Sequence, residues 1–442
     1  MVIIKRNAEI ELINWKNDPE RKPLALRGAR QVGKSFLVEQ FGGRFFNKVH
    51  VFNFEEKKEL KKVFAGDFDI DKIMSQLELF AQREINLHQD LIFFDEIQEC
   101  PQAISCLRYF KEKKKNIFII AAGSLLEFAL EKISIPVGRI DFLTIYPLNF
   151  QEFLNATGRE MLLKSIPFFY DGDFKPKNIN EAAANSLYTA CREYSAIGGM
   201  PECVASFASK KSFESVRKIQ SSLIESFEAD VLKYTKGDKQ ISNLQSTWVK
   251  LSKIVGSEIT YSTINPSDDH KRTKNSLELL AKAKLIHIVR SANASGLPLG
   301  GSANEKHFKC IFLDIGLMFH LAGGQYTQLL LDGVILDAME GRLAEQFVGQ
   351  QLLAGPHAGS ERGALFCWFR SEKNAKAEVD FLIVRSSKII PVEVKSGRGG
   401  KLRSLLQFLK TYPETKQSIC LQERSDVLVD RGVTYVPLFS IL

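Results

Sequence analysis

The sequence predicts a multidomain α/β chain: a parallel sheet wrapped by helices, then a helical segment, then a second α/β region. Three observations carry this. Between residues 24 and 146, short apolar runs alternate with longer amphipathic stretches. Early in that region a glycine-framed loop, Gly28 to Ser35, lies between a predicted strand and a predicted helix. From about residue 338 a helix precedes three strands, a helix and a further strand. The length of 442 residues accommodates about two to four domains at roughly 150 residues each.

The elements follow in order. Residues 24–26, 49–54, 91–94, 117–121 and 142–146 are apolar at nearly every position, as strands buried on both faces of a parallel sheet are. Residues 151–239 read as mostly helical. Helices are predicted over 242–255 and 269–283, then strands over 285–289 and 308–312, joined by a Gly/Ser/Asn/Pro loop at 291–301. That order is a winged-helix pattern. A helix over 338–353 leads into strands at 364–370, 378–384 and 389–394, a helix at 401–411 and a strand at 417–421. The expected domains are a core over 1–150, a helical lid or linker over 151–240, a winged-helix-like domain over 241–320 and a final α/β domain over 321–442.

Composition narrows the function classes. With 45% hydrophobic and 25% charged residues, the chain is globular rather than disordered or fibrous. The longest apolar candidate, residues 117–130, is broken by Ser124 and Glu127, so no membrane partner is expected. The start of the chain reaches Lys5 and Arg6 too early for a secretory signal. The seven cysteines show no CxxC spacing, which predicts reduced thiols, a cytoplasmic chain and no structural zinc. Net charge is +8 on 60 basic and 52 acidic residues, which permits a nucleic-acid partner without demanding one. The histidines form no triad with a serine or cysteine, so hydrolase chemistry of that kind is not expected.

The loop Gly28-Ala29-Arg30-Gln31-Val32-Gly33-Lys34-Ser35 fits GxxxxGK[ST]. Its setting, strand before and helix after, is the one a phosphate cradle needs. Glycines let backbone amides close on phosphate oxygens, and the helix N-terminus adds a positive dipole end. Residues Gly28 to Ser35 with Phe36 would cradle the phosphates of a nucleotide, Lys34 reaching the outer phosphates and Ser35 ligating Mg²⁺. In the third strand, Leu91-Ile-Phe-Phe runs into Asp95-Glu96. Asp95 would hold the same Mg²⁺ through water and Glu96 would activate the attacking water. Gly123-Ser124 ends the fourth strand. Ser124 is either a γ-phosphate contact or a helix N-cap. Arg139, before the fifth strand, is either a surface residue or a cation for the transferring phosphate, in cis or from a neighbouring copy.

Together these residues resemble a family. Arg27-Gly-Ala-Arg-Gln-Val-Gly-Lys-Ser, Phe94-Asp-Glu-Ile-Gln98, Ala122-Gly-Ser124, Gly138-Arg139, Pro147-Leu-Asn-Phe-Gln-Glu-Phe153 and Gly198-Gly-Met-Pro-Glu202 are similar to the bacterial and archaeal AAA-type ATPases that carry a conserved domain of unknown function behind the ATPase. The resemblance covers nearly the whole chain. Ala29 departs from the proline common there. The resemblance implies the additional-strand P-loop fold, with the Asp95-Glu96 strand beside the P-loop strand, and implies ATP as ligand. Gly198 to Glu202 then lie behind the ATPase core, either as a nucleotide-state sensor or as a plain interhelical turn.

A second constellation stands near the C-terminus. Asp380 lies in one strand, and Glu393 and Lys395 lie two apart in the next, so both point to one face. A turn around residues 385–388 joins the strands, and Glu345 lies on a helix upstream. This resembles the core of restriction-endonuclease-like nucleases. Glu345, Asp380 and Glu393 would hold a second Mg²⁺, and Lys395 would position or activate water. Two further readings stand beside cleavage: a nuclease-like fold that only binds DNA, and a solvated hairpin with charged rungs. Lys271, Arg272 and Lys274 open the candidate recognition helix, and Lys306, His307 and Lys309 lie on the wing strand. These fit phosphate contacts, or the domain is a protein adaptor. The expected partners are therefore ATP and DNA, with a homo-oligomer or a protein partner as the alternative.

Overall fold

The computed structural model describes residues 4–114, 116–131, 133, 138–170, 173–175, 177–266, 270–324, 327–333, 337–355, 364–370, 377–397 and 402–441, with backbone alone for Tyr170, Glu305, Lys306, Asp337 and Ala338. The chain forms two compact units, one of Lys5–Tyr146 with Lys282–Lys284, the other built on Pro147–Ala281 and Leu285–Leu442.

The first unit is a five-stranded parallel sheet: β1 (Leu24–Arg27), β2 (Val49–Asn53), β3 (Leu91–Asp95), β4 (Ile119–Ala122) and β5 (Asp141–Thr144), in the order β2-β3-β4-β1-β5. Strands β3 and β4 are buried at every position, which explains their unbroken apolar runs. Phe94 of β3 packs against the rings of Phe52, Phe54, Phe64 and Phe110. One expectation is corrected. The Asp95-Glu96 strand does not lie beside the P-loop strand, because β4 pairs with both β1 and β3 and separates them. That intervening β4 is the additional strand.

The second unit opens with helices Phe150–Ala156, Glu181–Ile197, Pro201–Lys210, Phe213–Leu232 and Asp238–Ile254, with a small hairpin, β6 (Phe169–Tyr170) and β7 (Asp173–Phe174), among them. Helix His270–Lys282 follows, then β8 (Ile286–Ser291) and β9 (Asn304–Phe312) as an antiparallel pair. Helix Asp337–Ala354 leads to β10 (Phe366–Phe369), β11 (Glu378–Arg385), β12 (Lys388–Val394), helix Arg403–Thr411, β13 (Ser418–Gln422), β14 (Leu428–Asp430) and β15 (Val433–Pro437). The helix and strand order matches the pattern read from residue 338 onward. Residues 269 and 401, expected to open two of these helices, lie outside the described residues. The β11–β12 turn forms where expected, with Ser386 and Ser387 both left-handed at φ 48° and 59°, the geometry of a two-residue hairpin loop.

The β8–β9 hairpin is not free-standing. Strand β8 pairs in parallel with β10, Phe366 opposite Arg290 and Cys367 opposite Ser291. One mixed eight-stranded sheet therefore runs β14-β15-β13-β12-β11-β10-β8-β9, across the boundary expected at residue 320. All seven cysteines are buried and unpaired. Among the described residues, no helix is long and apolar enough to cross a membrane.

Candidate functional site

The phosphate cradle is built where β1 hands over to the helix Lys34–Phe45. Gly28 has φ +146°, and a Cβ there would stand 2.2 Å from the Ile145 carbonyl oxygen. Only glycine lets the loop leave β1 this close to the end of β5. Gly33 is left-handed at φ 89° and begins the helix with no side-chain cap. The first-turn amides thus have no side-chain acceptor, which leaves donors for an anion. Arg6 braces the loop from outside, donating to Val32 O at 2.9 Å and to Tyr146 O at 2.6 Å. Arg6 carries no motif, so sequence reading passed over it.

Lys34 is buried, and its ammonium donates to the carbonyls of Gly28 (3.1 Å) and Ala29 (2.7 Å). Burial pushes it down to about 8, while Glu96, Asp95 and Glu127 pull it back up. Ser35 Oγ donates to Asp95 Oδ1 at 3.0 Å. The structure therefore joins the predicted Mg²⁺ pair directly. A hydroxyl and a carboxylate side by side form a hard-oxygen donor set that fits Mg²⁺. Burial raises the Asp95 carboxyl, and the Ser35 hydrogen bond opposes that shift. Asn53 Nδ2 also reaches Asp95 Oδ2, at 3.3 Å. Asn53 lies opposite Asp95 across β2–β3, a pairing that no local motif signals.

Glu96 sits just past β3 in the left-handed region, φ 49°. Gln98 Nε2 donates to its Oε2 at 2.7 Å and Ser124 Oγ at 3.3 Å. Both bonds fall on one oxygen, which leaves Oε1 to face other groups. Neither reading of Ser124 named the contact its side chain makes, which is to the Glu96 carboxylate. The helix Leu126–Leu130 has no side-chain cap. Gly123 allows the approach, since a Cβ there would stand 2.5 Å from Gln98 Oε1. Arg139 is exposed, and its Nε pairs with Glu112 at 3.4 Å. Its ion-pair partner is thus Glu112 rather than a residue of the cradle.

The second constellation gathers differently from its sequence pattern. Glu345, Glu378 and Asp380 place carboxylate oxygens within 4.8 Å of one another. Lys309 Nζ donates to Glu345 Oε1 at 2.7 Å and to Asp380 Oδ1 at 2.9 Å, and it pairs with Glu378 as well. Lys309 is wholly buried, so the expectation that it meets phosphate on the wing is corrected: the β9 pleat turns it inward. His307 pairs with Glu258 at 2.5 Å, and the Lys306 side chain lies outside the described residues. Burial alone would lower the Lys309 ammonium, but Asp380, Glu345 and Glu378 hold it well above the usual lysine range. Burial likewise lifts the Glu345 carboxyl, against the pull of Lys309. Glu393 and Lys395 do share a face, paired at 2.6 Å. Glu393 Oε2 is buried without a hydrogen-bond partner, and burial and Asp380 push its carboxyl up. Asp380 Oδ2 accepts the Val394 N–H at 2.8 Å.

Two quoted motifs acquire structural causes. In residues 147–153, Asn149 and Glu152 form a reciprocal capping box, each bond 2.9 Å. Gln351 Oε1 accepts from Phe150 N at 2.7 Å. Gly198 to Met200 form the turn between Glu181–Ile197 and Pro201–Lys210, and Pro201 and Glu202 open the second helix. Buried Asp314 accepts Gly199 N there at 2.6 Å, and Cβ atoms at Gly198 and Gly199 would collide with Asp314 and Leu148 O. Ser221 Oγ lies 3.1 Å from His320 Nε2, but buried His320 Nδ1 has no partner, so no acid completes a triad.

Family comparison agrees with the cradle. Residues 20–154 match the model of an AAA domain. Residues 188–328 and 340–441 match two domains of unknown function, DUF8612 and DUF4143. No curated protein matches in sequence. Solved structures similar to the chain include the RuvB Holliday junction branch migration motor of Thermotoga maritima, at 13% identity and TM-score 0.31, covering 63% of this chain and 88% of that one. The Aeropyrum pernix Orc1 protein in complex with DNA aligns at 12% identity and TM-score 0.29, covering 76% and 95%. AMPPCP-bound DnaA from Aquifex aeolicus aligns at 13% and 0.28, covering 62% and 87%. With its P-loop, its Asp95-Glu96 strand and the intervening β4, the N-terminal unit is an AAA-type P-loop ATPase domain, and it is followed by two domains of unknown function.

Proposed function

We propose that the chain is a Mg²⁺-dependent ATPase that acts as a switch or motor on a C-terminal module that binds nucleic acid. The observation that carries the ATPase half is the 3.0 Å bond between Ser35 Oγ and Asp95 Oδ1, beside a lysine held in its own loop. Residues Gly28 to Phe36 bind the phosphates of ATP, and Lys34 exchanges two loop carbonyls for phosphate oxygens. Ser35 and Asp95 hold Mg²⁺, which offsets phosphate charge. Glu96, steadied on Oε2 by Gln98 and Ser124, accepts the proton of the attacking water through Oε1. Arg139 serves as a cation donated to a neighbouring copy, consistent with its exposure.

The module half rests on order and charge. Helices, then His270–Lys282, then the β8–β9 hairpin suit a winged helix, with Lys271 and Lys274 exposed at the helix start. The helix and strands from Asp337 onward suit a restriction-endonuclease-like fold. One observation favours the adaptor alternative: Lys309 and His307 are both committed to acidic partners, so the wing strand offers fewer groups to phosphate. Phosphate release with and without DNA, and DNA retardation at low salt, test both readings. DNA-stimulated release that disappears in Lys34→Ala supports the switch. ATP hydrolysis with no retardation at low salt, where electrostatic binding is strongest, leaves the adaptor.

A further inference from the structure

The resemblance to nucleases implies a divalent ion among Glu345, Asp380 and Glu393. The residues present do not fit that ion. The carboxylates that converge are Glu345, Glu378 and Asp380, and the centre of their ring is filled. Lys309 Nζ stands 2.7 Å from Glu345 Oε1 and 2.9 Å from Asp380 Oδ1, and it also contacts Glu378. Mg²⁺ takes oxygens at about 2.1 Å in a near-octahedral shell, and an ammonium inside the same ring repels it. Nor can Lys309 readily step aside. It is wholly buried on β9, so its charge has no water to move into.

The outer oxygen of Asp380 is committed too. Asp380 Oδ2 accepts the Val394 N–H at 2.8 Å. Gly256 lies so close that a Cβ there would stand 2.5 Å from Glu345 Oε2. Glu393, expected as the third ligand, turns its Oε1 to Lys395 at 2.6 Å instead, and its Oε2 is buried without a hydrogen-bond partner outside the ring of three.

We infer that Lys309 occupies the seat of the divalent ion and excludes it, so that this cluster is a metal-free ion-pair node tying β9 to β11 and to the Asp337–Ala354 helix. Metal-dependent phosphodiester cleavage is then absent from this cluster. The inference stands apart from the ATPase proposal and does not depend on it.

Mn²⁺ binding by the full chain without nucleotide, counted by electron paramagnetic resonance, tests it. Wild type and Glu345→Gln are expected to bind equal numbers of Mn²⁺ ions. Lys309→Met is expected to gain one ion, lost again in Lys309→Met/Glu345→Gln. An ion present in wild type and missing in Glu345→Gln overturns the inference. A folded Lys309→Met that gains no ion overturns it as well. If circular dichroism shows Lys309→Met unfolded, the first comparison decides alone: equal counts support the inference and a lost ion refutes it. Glu378→Gln, at the partly exposed edge of the ring, replaces Glu345→Gln if that variant does not fold. Failure of ATP hydrolysis leaves these outcomes unchanged, because no nucleotide is present.

Discussion

At the scale of single residues, the cradle rests with its lysine turned on itself. The Lys34 ammonium is pushed down to about 8 by burial, from an ordinary 10.5. Phosphate binding needs it charged. Above pH 8 the free chain must take up a proton to bind ATP, so affinity is expected to fall by about tenfold per pH unit there. Nucleotide titrations across pH check this, and a flat profile up to the lysine range refutes it. For stability the sign is opposite. A depressed folded value means that the nucleotide-free unit gains stability as pH rises from about 8 toward 10.5. Glu96→Gln keeps the Ser35–Asp95 pair and removes the proposed proton acceptor. Nucleotide affinity is expected to stay near wild type, while kcat drops by about a hundredfold to ten-thousandfold. The residues of this proposed site were legible from local spacing, because GxxxxGK[ST] and an apolar strand ending in Asp-Glu are each contiguous. The supports Asn53 and Arg6 were not, since each acts from a distant segment.

At the scale of elements, caps and close approaches explain what strings of letters only marked. The Asn149–Glu152 box starts the helix Phe150–Ala156, and Asn149 also donates to Ala354 O at 3.2 Å. Asn149→Ala is expected to destabilise its unit by about 1–2 kcal/mol, read as a lower urea midpoint at unchanged slope. A neutral result would mean that water replaces both bonds. Strand existence was readable from apolar runs, and hairpin β11–β12 from its turn. Strand order was not. β3 and β4 are equally apolar, and right-handed crossovers permit either one beside β1. The pairing is settled by helix packing and long-range contacts.

At the scale of the whole chain, the sheet that begins with the β8–β9 hairpin runs through to β14. Lys309 pins that hairpin to the acidic strand and helix. Lys309→Met leaves buried carboxylates uncompensated and is expected to cost about 3–5 kcal/mol. Thermal unfolding in EDTA measures it, and an unchanged Tm would contradict the buried node. Arg139→Ala is expected to leave ATP affinity intact and to lower kcat by about a thousandfold or more, with wild-type kcat rising with chain concentration. Concentration-independent turnover would remove the neighbouring copy from the mechanism.

Adjacent letters were enough for the ATPase half. The phosphate loop, the Asp95-Glu96 strand and the alternation of strands and helices each arise from interactions a few residues long, so local pattern carries them. The acidic cluster behaves differently. Glu345, Asp380 and Glu393 invite a metal when read along the chain, and Lys309, on a strand 36 residues before Glu345, reads as a base for phosphate. Its direction depends on which face of β9 meets the Asp337–Ala354 helix. That is a matter of sheet register and burial, and only the folded chain supplies it.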